Sequence, residues 1–456
     1  MPLVRSISGL RGTLGDSLGP EVIVRYVSAF AEYTGYAPVV VGHDGRPSGN
    51  WIQQVVAGTL VACGVEVRTL GMAPTPTVQM ATEKSDAAGG ISITASHNPI
   101  EWNGLKFLNA DGVFLGPEEC EAFFRIVDRE ERRYADYSAL GKIEQAADLV
   151  EGHVAAVLEL PFVDRAGLQE RKFKVVVDAV NASGSVMVPE LLEALGCQVI
   201  RLFCDGSGQF PHTPEPLPQN LGQLCQAVHE HTADIGIAVD PDADRLVLID
   251  EQGEPIGEEY TITQAADFML RWNRENGDQA GQKVVVNLST TRAVDDVAEK
   301  HGATTLRTPV GEINVVNGMK DSGAVIGGEG SGGVILPALH YGRDSLAGVA
   351  ITLANMRASG RTLSEIRAAL PAYHIVKKKT ALPEKETPQQ VIERIRDNAP
   401  ADAVLNSDDG LRIDFDRSWV HMRASNTEPI MRIIAEAPTI GEAEELANRY
   451  AVLIAG

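Results

Sequence analysis

The residues that could do chemistry fall into two short runs, far apart in the chain. The first is Thr94-Ala95-Ser96-His97-Asn98-Pro99, preceded by Gly89-Gly90 and Ile91-Ser92-Ile93. It reads as a strand entering a loop, which Pro99 keeps from continuing as helix or sheet. Ser96 then stands at a strand end beside an imidazole and a carboxamide. A serine hydroxyl becomes a useful nucleophile only when a base, a metal or a positive field activates it. The same six residues also suit a plain turn in which Ser and Asn cap backbone groups. The second run, Asp240-Pro241-Asp242-Ala243-Asp244-Arg245, weighs against that plainer reading. Its three carboxylates alternate, so on an extended backbone they project to one side and can converge on one cation. Ile235–Val239 before them and Leu246–Ile249 after them read as strands, which makes the run a turn. An EF-hand loop is rejected, although Glu251 falls at its twelfth position: its sixth position requires Gly and holds Arg245, and its flanks must be helices.

The elements that must position these runs follow a recurring pattern of apolar strand, Gly- or Asp-rich turn, amphipathic helix and second strand. Pro38–Val41 leads through Gly42–Arg46 to a helical stretch at Gln53–Ala62 and then Val65–Val67. Phe173–Asp178 leads through Asn181–Gly184 to a helix at Pro189–Leu195 and then Val199-Ile200. Lys283–Asn287 leads through Ser289–Thr291 to a helix at Ala293–Lys300 and then Thr304–Leu306. Three β-α-β units predict three α/β domains with mixed, mainly parallel sheets. The last segment differs. A polar linker at Pro383–Pro388 precedes a helix at Gln389–Arg396, alternating strands at Gly410–Phe415 and Ser418–Arg423, a strand at Met431–Glu436 and a terminal helix from Gly441. That order predicts an α+β domain with an antiparallel sheet. The expected domains are 1–150, 151–255, 256–370 and 371–456.

Composition narrows the function classes. The 456 residues are 44% hydrophobic and 22% charged, as in ordinary globular proteins, and long enough for several domains. A net charge of −22 opposes a generic nucleic-acid or anionic-membrane surface. It also requires any anionic substrate to be met by locally placed arginines and lysines. Five cysteines without a C-x-x-C pair fit a reducing cytoplasm. No signal-peptide core or long apolar run is present, so a cytoplasmic protein is expected.

The serine loop followed by the Asp-x-Asp-x-Asp-Arg loop resembles the α-D-phosphohexomutases, which move a phosphoryl group between the 1 and 6 positions of a hexose. The resemblance spans nearly the whole chain and implies four domains, Mg²⁺ and a phosphorylated serine. It implies that phosphorylated Ser96 joins Asp240, Asp242 and Asp244 as a metal ligand, and that Arg11 faces the phosphoserine from Ser8–Thr13. Lys106 and His97 would lie against the transferred phosphoryl group, with Lys106 as acid, base or neutralising charge. Arg245 would pair with phosphate. Gly42–Ser48 would be structural around the same cleft.

Two further loops complete the resemblance. In Gly327–Gly333, Glu329 would accept from two sugar hydroxyls, backed by Ser331. Many members carry histidine where this chain has Gly333, and the run His340–Asp344 is the expected compensation. Thr308–Glu312 looks like the sugar-contacting loop, and its Val310-Gly311-Glu312 form is nearer to phosphoglucosamine mutases. Phe210–Pro216 looks nearer to the mannose and glucose enzymes. Arg423, Ser425, Asn426 and Thr427 match the family's phosphate-binding loop and offer an anion nest. The expected reaction is glucosamine 6-phosphate to glucosamine 1-phosphate through a hexose 1,6-bisphosphate. Phosphomannomutase or phosphoglucomutase is the alternative, and a sugar-phosphate phosphatase or sensor is more distant. The expected partner is a small sugar phosphate, with no nucleic acid or membrane, and the protein is expected as a monomer or homodimer.

Overall fold

A computed structural model describes residues 3–7, 9–277, 281–383, 386–424 and 430–455. Three α/β sheets and one antiparallel sheet follow one another along it. In the first, the parallel strands Val67–Met72, Val39–His43 and Gly89–Ile93 lie side by side, and Trp102–Asn109 pairs antiparallel with the last. Gly9–Thr13 and Val4–Ser6 extend that edge, and Ile143–Gln145 extends the other. The second sheet repeats the core of this order: Gln198–Phe203, Lys174–Asp178 and Ile235–Val239 run parallel, and Leu246–Ile249 returns antiparallel. The third does so again with Thr304–Thr308, Lys283–Asn287, Ile326–Glu329 and the antiparallel Gly333–Ile335. Strands such as Val39-Val40-Val41 and Val175-Val176-Val177 are wholly buried because helices cover both sheet faces, which is why they read as unbroken apolar runs.

This repetition positions the chemistry. In each of the three sheets, one loop joins the last parallel strand to its antiparallel neighbour. In the first that loop starts with Thr94-Ala95-Ser96, in the second it is Asp240–Arg245, and in the third it is Gly330–Gly332. Loops far apart in sequence are thus structurally equivalent, and they meet because the three units pack around one cleft.

The fourth sheet is fully antiparallel, in the order His374–Ala381, Ile430–Ala437, Trp419–Ala424, Leu411–Asp414 and Val404–Asn406. Helices Pro388–Asp397 and Ile440–Ala455 accompany it. The expected fold class therefore holds. Locally, the second unit's helix starts earlier than expected, at Gly184, and carries Pro189 inside it. The strand His374–Ala381 was missed because its three consecutive lysines mask the alternation.

A buried hydrogen-bond network fastens the first three units. Asp344 caps the helix Ser345–Ser359 through its Oδ1, which accepts from Leu346 N at 2.8 Å. Its Oδ2 lies 2.8 Å from His153 Nε2 and 3.2 Å from His340 Nε2. Thr77 Oγ1 meets the other ring nitrogen of His153 at 2.9 Å. Burial alone would raise the Asp344 pKa; His153 and then His340 outweigh it and hold the carboxyl well below its ordinary range.

Candidate active site

Ser96 occupies a left-handed backbone conformation, with φ 51°, which is strained for a residue with a side chain. Two neighbours hold it there. Its N–H donates to Thr94 Oγ1 at 2.8 Å, and its carbonyl accepts from Arg46 Nη2 at 2.5 Å. Arg46 is fully buried and also donates to the carbonyls of Asn98 (2.7 Å), Pro99 (2.7 Å) and Trp102 (3.2 Å), while Asp44 balances its charge at 3.0 Å. One guanidinium therefore satisfies four carbonyls of the loop and fixes its shape. The structural role expected of Gly42–Ser48 rests on this arginine.

The loop aims Ser96 at the acidic turn. Its Oγ donates to Asp240 Oδ2 at 3.0 Å and lies 3.3 Å from His97 Nδ1. Asp240, Asp242 and Asp244 are wholly buried, with ligand oxygens within 4.8 Å of one another. Thr75, from the first unit's helix Thr75–Glu83, anchors the turn: its N–H donates to the Asp242 carbonyl at 2.9 Å and its hydroxyl to Asp242 Oδ2 at 2.7 Å. Lys106 Nζ meets Asp242 Oδ2 at 2.6 Å and Asp244 Oδ2 at 3.3 Å. Asp242 Oδ1 and Asp244 Oδ1 remain buried without a hydrogen-bond partner. Two orphaned carboxylate oxygens, turned away from the lysine, are what a hard cation would satisfy, so the donor set fits a divalent metal.

The local field assigns protonation states. Burial raises Asp240 well above the carboxylate range, and Asp244 and Asp242 add to this. Burial would also raise Asp242, but Lys106 outweighs it and holds that carboxyl low. Burial would lower Lys106; Asp242 and then Asp244 reverse this and raise it, so the amine stays protonated. His97 is pushed down to about 2 by burial and then by Arg245 and Arg11, so its imidazole is neutral across the physiological range. Burial lowers Arg11, but a guanidinium stays charged, and its Nη1 donates to Asn98 Oδ1 at 3.2 Å. Arg245 Nε stands 3.9 Å from both Asp240 and Asp244 and makes no hydrogen bond.

The third unit brings a residue whose role the sequence left open. Arg343 is buried, and its three nitrogens reach three carboxylates, one in a turn, one at a strand end and one at a helix start. Nη2 donates to Asp244 Oδ2 at 2.6 Å, Nη1 to Glu329 Oε2 at 2.7 Å and Nε to Glu312 Oε2 at 2.9 Å. A Cβ built at Gly333 would lie 2.3 Å from Arg343 Cδ. The arginine stem therefore fills the space that any side chain at 333 would take. Of the run His340–Asp344, Arg343 is the residue that occupies this space, while His340 and Asp344 face His153.

Glu312, expected in the sugar-contacting loop, is already engaged by protein groups. Glu312 opens the helix Glu312–Ser322, and its oxygens are engaged by Arg343 and by Gln79 Nε2 at 3.1 Å. Burial raises its pKa, with Arg343 opposing. Glu329 Oε1 accepts from Asn287 Nδ2 at 2.8 Å and Gly311 N at 3.3 Å.

Two adjoining cavities form the cleft. One of about 180 Å³ is lined by Arg11, Lys106, Arg245, Gly311, Glu312, Glu329 and Arg343. The next, of about 300 Å³, shares Arg245, Glu329 and Arg343 and runs past Ser331 to Lys377, His421, Arg423 and Arg432. Ser425, Asn426 and Thr427 lie outside the described residues. Lys377 and Arg432 belong to the missed strand and its neighbour, where their spacing alone gives no ligand signal. One end of the cleft thus lies against Lys106 and Arg343, which touch the buried aspartate cluster, and the other end carries Lys377, Arg423 and Arg432.

Comparison with known proteins covers the whole of this architecture. The chain matches the models for phosphoglucomutase/phosphomannomutase α/β/α domain I at residues 4–134, domain II at 151–253, domain III at 259–373 and the C-terminal domain at 378–452. It is 34% identical to a probable phosphoglucosamine mutase of Methanopyrus kandleri, over 98% of this chain and 96% of that one. It is 35% identical to a phosphoglucomutase/phosphomannomutase of Thermococcus kodakarensis, over 97% of this chain and 95% of that one. The crystal structure of a phosphoglucomutase/phosphomannomutase family protein from Burkholderia thailandensis superimposes with a TM-score of 0.84 at 27% identity, covering 99% of this chain and 98% of the other.

Proposed function

Because the chain belongs to the phosphoglucomutase/phosphomannomutase family of enzymes, we propose that it moves a phosphoryl group between the 1 and 6 positions of a hexose by way of phosphorylated Ser96. The observation that carries this reading is the Ser96 hydroxyl, held 3.0 Å from Asp240 in a strained loop beside two unpartnered carboxylate oxygens. Asp240, Asp242, Asp244 and an oxygen of the phosphoserine would hold Mg²⁺, which would supply charge neutralisation at the phosphoryl oxygens.

The remaining roles belong to side chains. A protonated Lys106 donates hydrogen bonds to the transferred phosphoryl group and offsets its charge. Neutral His97 donates or accepts a hydrogen bond there without adding charge. Arg11 and Arg245 pair with the phosphoryl oxygens, which matters because phosphoryl transfer depends mainly on positioning and charge stabilisation. Glu329, backed by Ser331 and Gly311, accepts from sugar hydroxyls. Arg423, with Ser425, Asn426 and Thr427, holds whichever phosphate is not reacting. Two anion sites and one nucleophile suit a hexose 1,6-bisphosphate that turns over within the cleft and returns its other phosphoryl group to Ser96.

For the sugar we propose glucosamine. The M. kandleri relative is named a probable phosphoglucosamine mutase, and here Glu312 and Glu329, both engaged by Arg343, line the sugar cavity. With both carboxylates engaged, a 2-ammonium gains little over a 2-hydroxyl, about 0.5–1.5 kcal/mol or roughly two- to tenfold in kcat/KM. The T. kodakarensis name supports glucose or mannose as the alternative. The test is a coupled assay across glucosamine, glucose and mannose 1-phosphates that also records inorganic phosphate. Isomer formation well above phosphate release, fastest with glucosamine, is expected. Phosphate release exceeding isomer formation would make the protein a phosphatase instead.

A further inference from the structure

Arg423, which the proposed function assigns to phosphate, already has an anionic companion. Asp409 Oδ2 lies 2.8 Å from Arg423 Nε. The same oxygen accepts from Val310 N at 2.9 Å, in the loop that borders the sugar cavity. Asp409 is followed by Gly410 at φ 72°, where a Cβ would fall 2.2 Å from the Met422 carbonyl and 3.2 Å from Arg423 Cα. The turn is therefore pressed against the Arg423 backbone, and a larger residue at 410 would force it away. The Asp409 carbonyl lies 2.7 Å from His421 Nε2, and His421 Nδ1 lies 2.9 Å from Ser289 Oγ of the third unit. One carboxylate thus touches the fourth unit's anion-binding guanidinium and the third unit's sugar loop at once.

We infer that Asp409 is a positioning residue that weakens the hold of Arg423 on phosphate while anchoring the Val310 loop. The inference rests on the reading that Arg423 binds phosphate. A carboxylate this near a guanidinium cancels part of its charge and repels an arriving phosphate dianion. A mutase needs such a limit. If the distal phosphate is gripped too strongly, the bisphosphate cannot let go and turn, and binding energy that is equal in every state does not speed the reaction.

Asparagine at 409 separates the two roles, because its amide oxygen still accepts from Val310 N but carries no charge. Inorganic phosphate binding to the full-length protein is measured by calorimetry, and the Arg423→Gln variant identifies which part of the isotherm belongs to this site. Asp409→Asn is expected to bind phosphate there between about 1.5-fold and fivefold more tightly, the range for a partly exposed ion pair. Its kcat is expected to fall. Asp409→Ala is expected to tighten phosphate binding in the same way but to raise KM for the sugar phosphate, because the Val310 anchor is lost. Unchanged or weaker phosphate binding in Asp409→Asn, or tighter binding with undiminished kcat, would overturn the inference. Phosphate binding that Arg423→Gln leaves intact would instead remove the site reading on which it rests.

Discussion

Replacing Arg343 by methionine keeps most of the side-chain length and removes the charge that holds Asp244, Glu312 and Glu329 together. Removing one partner of a buried ion pair costs about 3–5 kcal/mol, because the remaining charge stays buried and uncompensated. In a unit of this size each kcal/mol moves Tm by about 2–4 °C, so a loss of about 6–20 °C is expected near pH 8. The pH dependence carries a sign. Glu312 is raised by burial, and Arg343 opposes that rise, so the variant raises it further. A carboxyl with a folded pKa above its unfolded value contributes stability at low pH and loses it as pH rises through the folded pKa. The variant's deficit should therefore shrink when the melt is repeated near pH 5, still above the range where most carboxylates protonate. Differential scanning calorimetry at both pH values decides this. A variant as stable as the wild type near pH 8, or a deficit that does not diminish near pH 5, would refute the argument. Arg343→Lys should recover only part of the loss, since an ammonium lacks the planar fork that reaches three separate carboxylates.

The other expectations concern the reacting centre. Ser96→Ala should abolish mutase turnover while leaving the melting temperature within a few degrees of wild type, and intact-mass spectrometry should find a phosphoryl group on the wild type that a sugar monophosphate removes. Asp242→Asn should lose activity together with Mg²⁺-dependent thermal stabilisation, and full activity of wild type in EDTA would refute the metal assignment. Gly333→Ala should lower kcat by displacing the Arg343 stem, which its Cβ would meet at 2.3 Å, and an alanine variant with normal kcat would show that the stem has room to move.

The chain's own order of residues was enough to identify the serine loop, the acidic turn and the Gly-rich loop, because each is a local signal: alternating carboxylates, a Pro-terminated strand end, a run of glycines. It also determined three β-α-β units, since buried parallel strands are written as unbroken apolar runs and need no knowledge of their neighbours. It did not reveal that the three loops are equivalent, because the antiparallel partner strand that closes each one is defined by pairing and not by composition. The roles of Arg46, Thr75, Arg343 and Asp409 were hidden for the same reason. A single arginine or aspartate in a polar loop reads as solvated, and nothing within ten residues of Arg343 announces Asp244, Glu312 or Glu329. Whether such a charge faces water or three buried carboxylates depends on which distant loops arrive beside it. Local periodicity is a property of neighbouring residues along the chain, whereas the electrostatic environment of a side chain is a property of neighbours in space, and only the packed structure supplies those.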